Sequence, residues 1–188
     1  MSLRKQIRQR GIAERDALSA AVRESLSSQA VERLIQWEPF QQAQTILLYE
    51  HIKGELSLDA LMHHPKAIGK RFLWPRCIGE GEMLALAPCG DDAWQEGCCG
   101  IREPIPERSN VVPPEEIDLV VCPCTAFDDQ GHRMGMGGGF YDRYLPQCRK
   151  AAICAIAFEA QKVQHIPCEI WDFPMDAVIT EKSIYRGK

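Results

Sequence analysis

No stretch of this 188-residue sequence approaches the ~20 consecutive apolar residues needed to cross a bilayer. The N-terminal Met1-Ser-Leu-Arg-Lys-Gln-Ile-Arg lacks the apolar core of a secretory leader. Both absences lead to the expectation of a cytoplasmic protein without a membrane partner. Excess positive charge is also missing. The 22 Lys and Arg residues face 26 Asp and Glu, for a net charge of −4 and a pI near 5.8. That excludes a broad nucleic-acid surface while leaving room for a small basic pocket. Repeats, low-complexity segments and linkers are absent, so one domain over 1–188 is the simplest division, and a monomer the simplest assembly. Cysteine is plentiful at nine, but no pair has Cys-x-x-Cys spacing. Cys122-Pro-Cys124 and the adjacent Cys98 and Cys99 make poor frameworks for tetrahedral zinc. The nine therefore read as reduced thiols, several of them buried as small apolar residues.

Glycine is concentrated where chemistry is expected. In Gly131-His-Arg-Met-Gly-Met-Gly-Gly-Gly-Phe-Tyr-Asp-Arg-Tyr-Leu145, five of the first nine residues are glycine. An apolar run reading as a buried strand, Ile117–Cys122, precedes it by a short connection, 123–130. A segment reading as a helix, Phe140–Cys148, follows. A strand, a glycine loop and a helix in that order make an anion site, because glycine lets the backbone approach closely and the first helical N–H groups lack partners. The loop is not a Walker A motif, since Gly139 is followed by Phe140 rather than Lys. A dinucleotide fingerprint started at Gly135 also fails at Phe140. A plain connecting turn is the competing reading. Arg133, Asp142 and Arg143, which put anion- and cation-binding groups on both sides of one turn, weigh against it.

The rest of the chain alternates strands and helices. Residues 2–15 form a basic helical pattern in which Arg4 and Arg8 share a face. Ser19 is placed to cap a helix from Ala20 to about Gln36. Strands are expected at Thr45–Tyr49, Lys70–Trp74 (ending at Pro75), Met83–Ala87, Ala151–Phe158 and Asp176–Thr180, with a long ordered loop over Asp91–Ser109. The continuous apolar runs suit central parallel strands. The predicted fold class is α/β with a largely parallel sheet.

Arg133 through Leu145 resembles the loop of the 5-formyltetrahydrofolate cyclo-ligase family, also called methenyltetrahydrofolate synthetases. Asp118-Leu-Val-Val-Cys-Pro-Cys-Thr-Ala-Phe-Asp-Asp-Gln-Gly131 is similar to the strand and approach loop of the same family. Weaker matches, Gly100-Ile-Arg-Glu-Pro104 among them, run in order from Ser2 to Asp172. The resemblance implies a three-layer α/β/α fold. It also implies ATP- and Mg²⁺-dependent cyclisation of 5-formyltetrahydrofolate to 5,10-methenyltetrahydrofolate with release of ADP and phosphate. It further assigns roles. Arg4 would contact nucleotide and substrate, and either Lys5 stands in for a lysine the family often carries just upstream or that contact is absent. Arg133 and the backbone of Gly135, Gly137, Gly138 and Gly139 would hold phosphate. Glu55 would receive the donor edge of the pterin. Tyr141 has a core reading and a substrate-stacking reading of its own; its glycine-flanked turn assigns it to the site, beside nucleotide and substrate. Asp142 and Asp172 would ligate Mg²⁺. Two departures stand out: Glu50-His51 replaces an apolar residue followed by serine, and Met136 stands where many members have lysine. On physics alone Asp142 and Asp172 read as surface acids, so Asp142→Ala is expected to spare the fold. Two other readings of the loop stay open: an ATP-dependent kinase or ligase for another small molecule, and a non-catalytic folate- or nucleotide-binding regulator.

Overall fold

The apolar runs become the middle of one sheet. All four residues of β7 (Leu119–Cys122) are buried, and β10 (Ala152–Ile156) lies parallel to it with Ala152 opposite Leu119. Parallel pairing continues outward from β7 to β1 (Thr45–Leu47) and β2 (Arg71–Gly79), and from β10 to β11 (Ala177–Ile179). Antiparallel strands β3 (Glu82–Pro88), β6 (Ser109–Val112) and β12 (Ile184–Arg186) complete an eight-stranded sheet in the order β12-β11-β10-β7-β1-β2-β3-β6. The computed structural model describes residues 2–52, 54–97 and 100–187, so Cys98 and Cys99 lie outside the described residues. Two carboxylates set the register where the parallel strands begin. Asp118 accepts the N–H groups of Gln44 and Thr45 at 2.9 and 2.8 Å, and Asp176 accepts that of Ile153 at 2.7 Å.

Strand alternation sends apolar side chains to both faces. On one face Ile46, Val121, Cys154 and Ile156 pack beneath α2 (Ala20–Gln36), α3 (Glu38–Gln42) and α4 (Asp59–Met62). Ser19 caps α2 as its sequence suggests, accepting the Val22 N–H at 3.3 Å. On the other face Leu47, Val120, Ala155 and Val178 meet Tyr144 and Leu145 of a much thinner layer. That layer is α5 (Phe140–Tyr144) and a tight turn over Leu145–Gln147. The α-helical pattern expected over 140–148 ends at Tyr144 and tightens into the Leu145–Gln147 turn, because Pro146 has no N–H to offer the carbonyl four residues back.

Three further expectations change. The strand expected to end at Pro75 continues to Gly79. Proline is tolerated there because β1 runs alongside β2 only as far as Leu73, so one side of β2 is free beyond it. The supposed loop over 91–109 contains a hairpin of β4 (Trp94–Glu96) and β5 (Arg102–Pro104). It docks on β2 through Trp94 edge-on to Trp74, 5.1 Å between centroids, and through an ion pair of Arg76 with the buried Glu103. The connection after β7 is also ordered: β8 (Ala126–Phe127) pairs with β9 (Arg133–Met134). α1 (Leu3–Asp16) lies against β8, where Gly11 permits the approach. A Cβ at Gly11 would stand 2.0 Å from the Thr125 carbonyl oxygen.

Candidate active site

Strand order reverses between β1 and β7: β2 lies to one side, and β7, β10 and β11 to the other. In an open parallel sheet the crevice beyond the carboxyl ends of such a pair is where ligands bind. The chain leaving β1 carries Glu55. The chain leaving β7 carries β9, the glycine loop and α5. The segment before β11 supplies Asp172, and α1 crosses nearby with Arg4, Arg8 and Arg15.

The glycine loop is shaped by its backbone and held by arginines. Gly137 and Gly139 adopt φ of +106° and +69°, conformations that side-chain-bearing residues rarely occupy, and Gly139 starts α5 from there. Met136, Gly137 and Gly138 are exposed. Arg8 donates from Nε to the Gly135 carbonyl at 2.8 Å, and Arg143 donates from Nη1 to the Gly138 carbonyl at 3.0 Å. α5 spans five residues, so its dipole would add little to an anion site, and the loop's own N–H groups are the donors such a site would use.

Two arginine–aspartate pairs flank this loop. Arg133 is buried, donates from Nη2 to Asp142 Oδ1 at 3.1 Å, and lies 5.4 Å from the centre of the Tyr141 ring. Burial would lower its pKa, but Cys122 and Asp142 outweigh that, so it stays charged. Arg4 grips Asp172 with both terminal nitrogens, Nη2 donating to Oδ1 at 2.9 Å and Nη1 to Oδ2. Arg4 Nη1 also donates to the Pro167 carbonyl at 2.7 Å. Burial alone would raise the Asp172 pKa. The hydrogen bonds from Arg4 and the Glu169 N–H win and hold it below the ordinary carboxylate range. The pairs adjoin, since Phe173 N–H donates to Asp142 Oδ1 at 3.3 Å and Arg133 acts electrostatically on Asp172. Among the described residues no three His, Cys, Asp or Glu side chains converge as a metal cluster. Asp142 and Asp172 are the two carboxylates of this region that could hold a cation.

Glu55 points inward. Its Oε2 accepts the Ile52 N–H at 3.2 Å, and its Oε1 lies 3.9 Å from Arg15 Nη1. Burial raises its pKa, against the opposing pull of that hydrogen bond and of Arg15. Burial raises the phenols of Tyr49 and Tyr141; Glu55 adds to it next at Tyr49, and at Tyr141 after Cys122, so Glu55 and Tyr141 share one neighbourhood. The Tyr141 hydroxyl is buried without a hydrogen-bond partner, although the residue as a whole is half-buried. A groove of about 500 Å³ runs from Glu55 past His51, Asp59 and the α2 residues Arg23 and Ser27. The hairpin approaches from the other side, where Arg102 acts on Glu50.

The structure thus brings together Arg133, Tyr141, Asp142 and the loop glycines, and joins Arg4 with Asp172 beside them. Lys5 is exposed on α1 and makes no described side-chain contact with the loop. Arg8 is the α1 residue that reaches it. Arg8 and Arg15 had not been singled out as site residues. Their spacing from Arg4, four and eleven residues, places all three on one helical face, and that periodicity was the available signal.

A sequence profile of the 5-formyltetrahydrofolate cyclo-ligase family matches residues 1–181. The 5-formyltetrahydrofolate cyclo-ligase of Escherichia coli is 32% identical over 184 residues, covering 96% of this chain and 99% of that protein. Its Haemophilus influenzae counterpart is 35% identical over 138 residues, covering 71% and 74% respectively. The structure of Aquifex aeolicus 5,10-methenyltetrahydrofolate synthetase superposes with a TM-score of 0.85 at 31% identity, covering 98% of this chain and 93% of the other. A Mycoplasma pneumoniae 5,10-methenyltetrahydrofolate synthetase gives 0.78 at 27% identity, with 96% and 99% covered. The chain belongs to the 5-formyltetrahydrofolate cyclo-ligase family and is, with that family, a ligase enzyme.

Proposed function

We propose that this protein converts 5-formyltetrahydrofolate, with ATP and Mg²⁺, to 5,10-methenyltetrahydrofolate, ADP and phosphate. The observation that carries the reading is the meeting of two chemistries at one switch point. A largely shielded carboxylate suited to a pterin's paired N–H donors, Glu55, follows β1. A glycine loop with Arg133 follows β7, Arg4 of α1 joins its flank through Asp172, and Tyr141 next to the loop feels the Glu55 carboxylate. The formyl oxygen is a poor leaving group. Its attack on the γ-phosphorus transfers the phosphoryl group and releases ADP. N10 then attacks the activated formyl carbon, gives up its proton to the departing phosphate or solvent, and the C–O bond breaks to release phosphate. No covalent nucleophile on the protein is needed, so its work is alignment and charge neutralisation.

In this reading the loop N–H groups and the guanidinium groups of Arg133 and Arg4 hold the phosphates in line with the formyl oxygen. Glu55 fixes the pterin, and Tyr141 fills the space between. Asp142 and Asp172 fit Mg²⁺ by donor chemistry, being hard oxygen donors on two segments that meet where the Phe173 N–H reaches Asp142. When bound, the cation would offset phosphate charge. Arg4 and Arg133 would hold phosphate, and Asp172 and Asp142, their partners here, would hold the cation. The test is absorbance at the methenyltetrahydrofolate band while protein, 5-formyltetrahydrofolate, ATP and Mg²⁺ are mixed. A rise requiring all three additions is expected. No rise from folded protein that still binds ATP would send the search to other acceptors.

A further inference from the structure

We propose that Arg8 is a phosphate-binding residue of this site, a role that rests on reading the glycine loop as the nucleotide's phosphate cradle. Arg8 lies one helical turn beyond Arg4 on α1 and reaches the loop by itself. Its Nε donates to the Gly135 carbonyl at 2.8 Å. The rest of the guanidinium lies along Gly137. A Cβ built on that glycine would stand 3.4 Å from Nη2 and 3.7 Å from Nη1. Gly137 is exposed, so a phosphate seated on its backbone would lie beside those two nitrogens.

Charge separates Arg8 from the arginines already placed. Arg4 is neutralised by Asp172 and Arg133 by Asp142. Among the described residues no carboxylate lies within ion-pair distance of Arg8, whose described hydrogen bond ends on a neutral carbonyl. Its charge is therefore already uncancelled before a ligand arrives. The Nε contact also fixes the guanidinium plane in advance, which lowers the entropy lost when its terminal N–H groups meet phosphate oxygens. This position also compensates for Met136, the exposed loop residue that brings no cation of its own.

Glutamine separates binding from mere support, because its Nε2 occupies the place of arginine Nε. Arg8→Gln keeps a donor for the Gly135 carbonyl and removes the charge and both Nη groups. Arg8→Met removes everything. Titration calorimetry with ADP, on wild type and both variants, is the experiment. Both variants should bind ADP about tenfold or more weakly, the scale of one lost charge-assisted hydrogen bond, with melting temperatures near wild type. Wild-type affinity in Arg8→Gln with loss only in Arg8→Met would overturn the proposal and leave Arg8 as a positioning residue. Wild-type affinity in both would also overturn it while leaving the loop as the phosphate site. A wild-type protein that binds no ADP would overturn the reading of the loop itself.

Discussion

Asp172 and Asp142 each hold an arginine, and that pairing governs what their substitutions do. The depressed pKa of Asp172 favours the folded state above the unfolded value of about 3.9, and this contribution disappears as pH falls through the lower folded value. Melting curves from pH 7 down to about 2.5 check it. Arg4→Met should melt lower than wild type at pH 7, and the gap should close in strong acid. A gap that stays constant with pH would show that the pair contributes nothing through ionisation. Asp142 behaves differently from the surface acid its position suggests. Asp142→Ala strands the buried Arg133, so it should cost about 1–3 kcal/mol of stability. Asp142→Asn keeps an acceptor oxygen for Arg133 and is the cleaner probe. It should retain most of that stability yet lose about 100-fold or more in turnover across a Mg²⁺ titration. Full activity in Asp142→Asn would remove the carboxylate from the site.

α1 carries three arginines to the crevice, and its seat depends on one glycine. Helix propensity alone says that Gly11→Ala should stabilise α1 by up to about 1 kcal/mol. Contact with the Thr125 carbonyl says the reverse, since the added methyl would sit 2.0 Å from that oxygen. Overpacking of this kind costs about 1–3 kcal/mol. Gly11→Ala should therefore melt several degrees lower and bind ADP more weakly, as Arg4 and Arg8 move with the helix. A higher melting temperature with unchanged ADP affinity would show that α1 is not seated there. Such elements were unequally legible. Long apolar runs announced β7 and β10, and Ser19 announced the start of α2, because burial and capping are local demands. The two-residue strands β8 and β9 gave no periodicity to read. Their pairing is imposed by neighbours, including a buried Asp128 that accepts the N–H groups of Gln130, His132 and Ile166. β12 and the β4–β5 hairpin were missed for the same reason: three residues against a sheet edge carry little pattern of their own.

Across the whole molecule the sheet decides which thiols are reactive. Cys122, Cys124 and Cys148 are buried, and burial pushes their thiols up to about 12. Burial raises Cys154 as well. Cys77, Cys89 and Cys168 are exposed. Brief treatment with iodoacetamide followed by peptide mapping should label these three and spare the four until the protein is unfolded. Early labelling of Cys122 or Cys124 would mean that the central strand opens readily. No described helix is long and apolar enough to cross a membrane. The loop motif made the family legible from sequence, but the pairing of Arg4 with Asp172 was not. It joins residues 168 positions apart and exists only once the sheet and α1 are assembled. The chemistry assigned to that assembly turns on the fate of one atom. Substrate labelled with oxygen-18 in the formyl group should pass its label into the released inorganic phosphate, detected by mass spectrometry after a single turnover. Label recovered in water, with unlabelled phosphate formed beside the methenyl product, would contradict phosphorylation of the formyl oxygen.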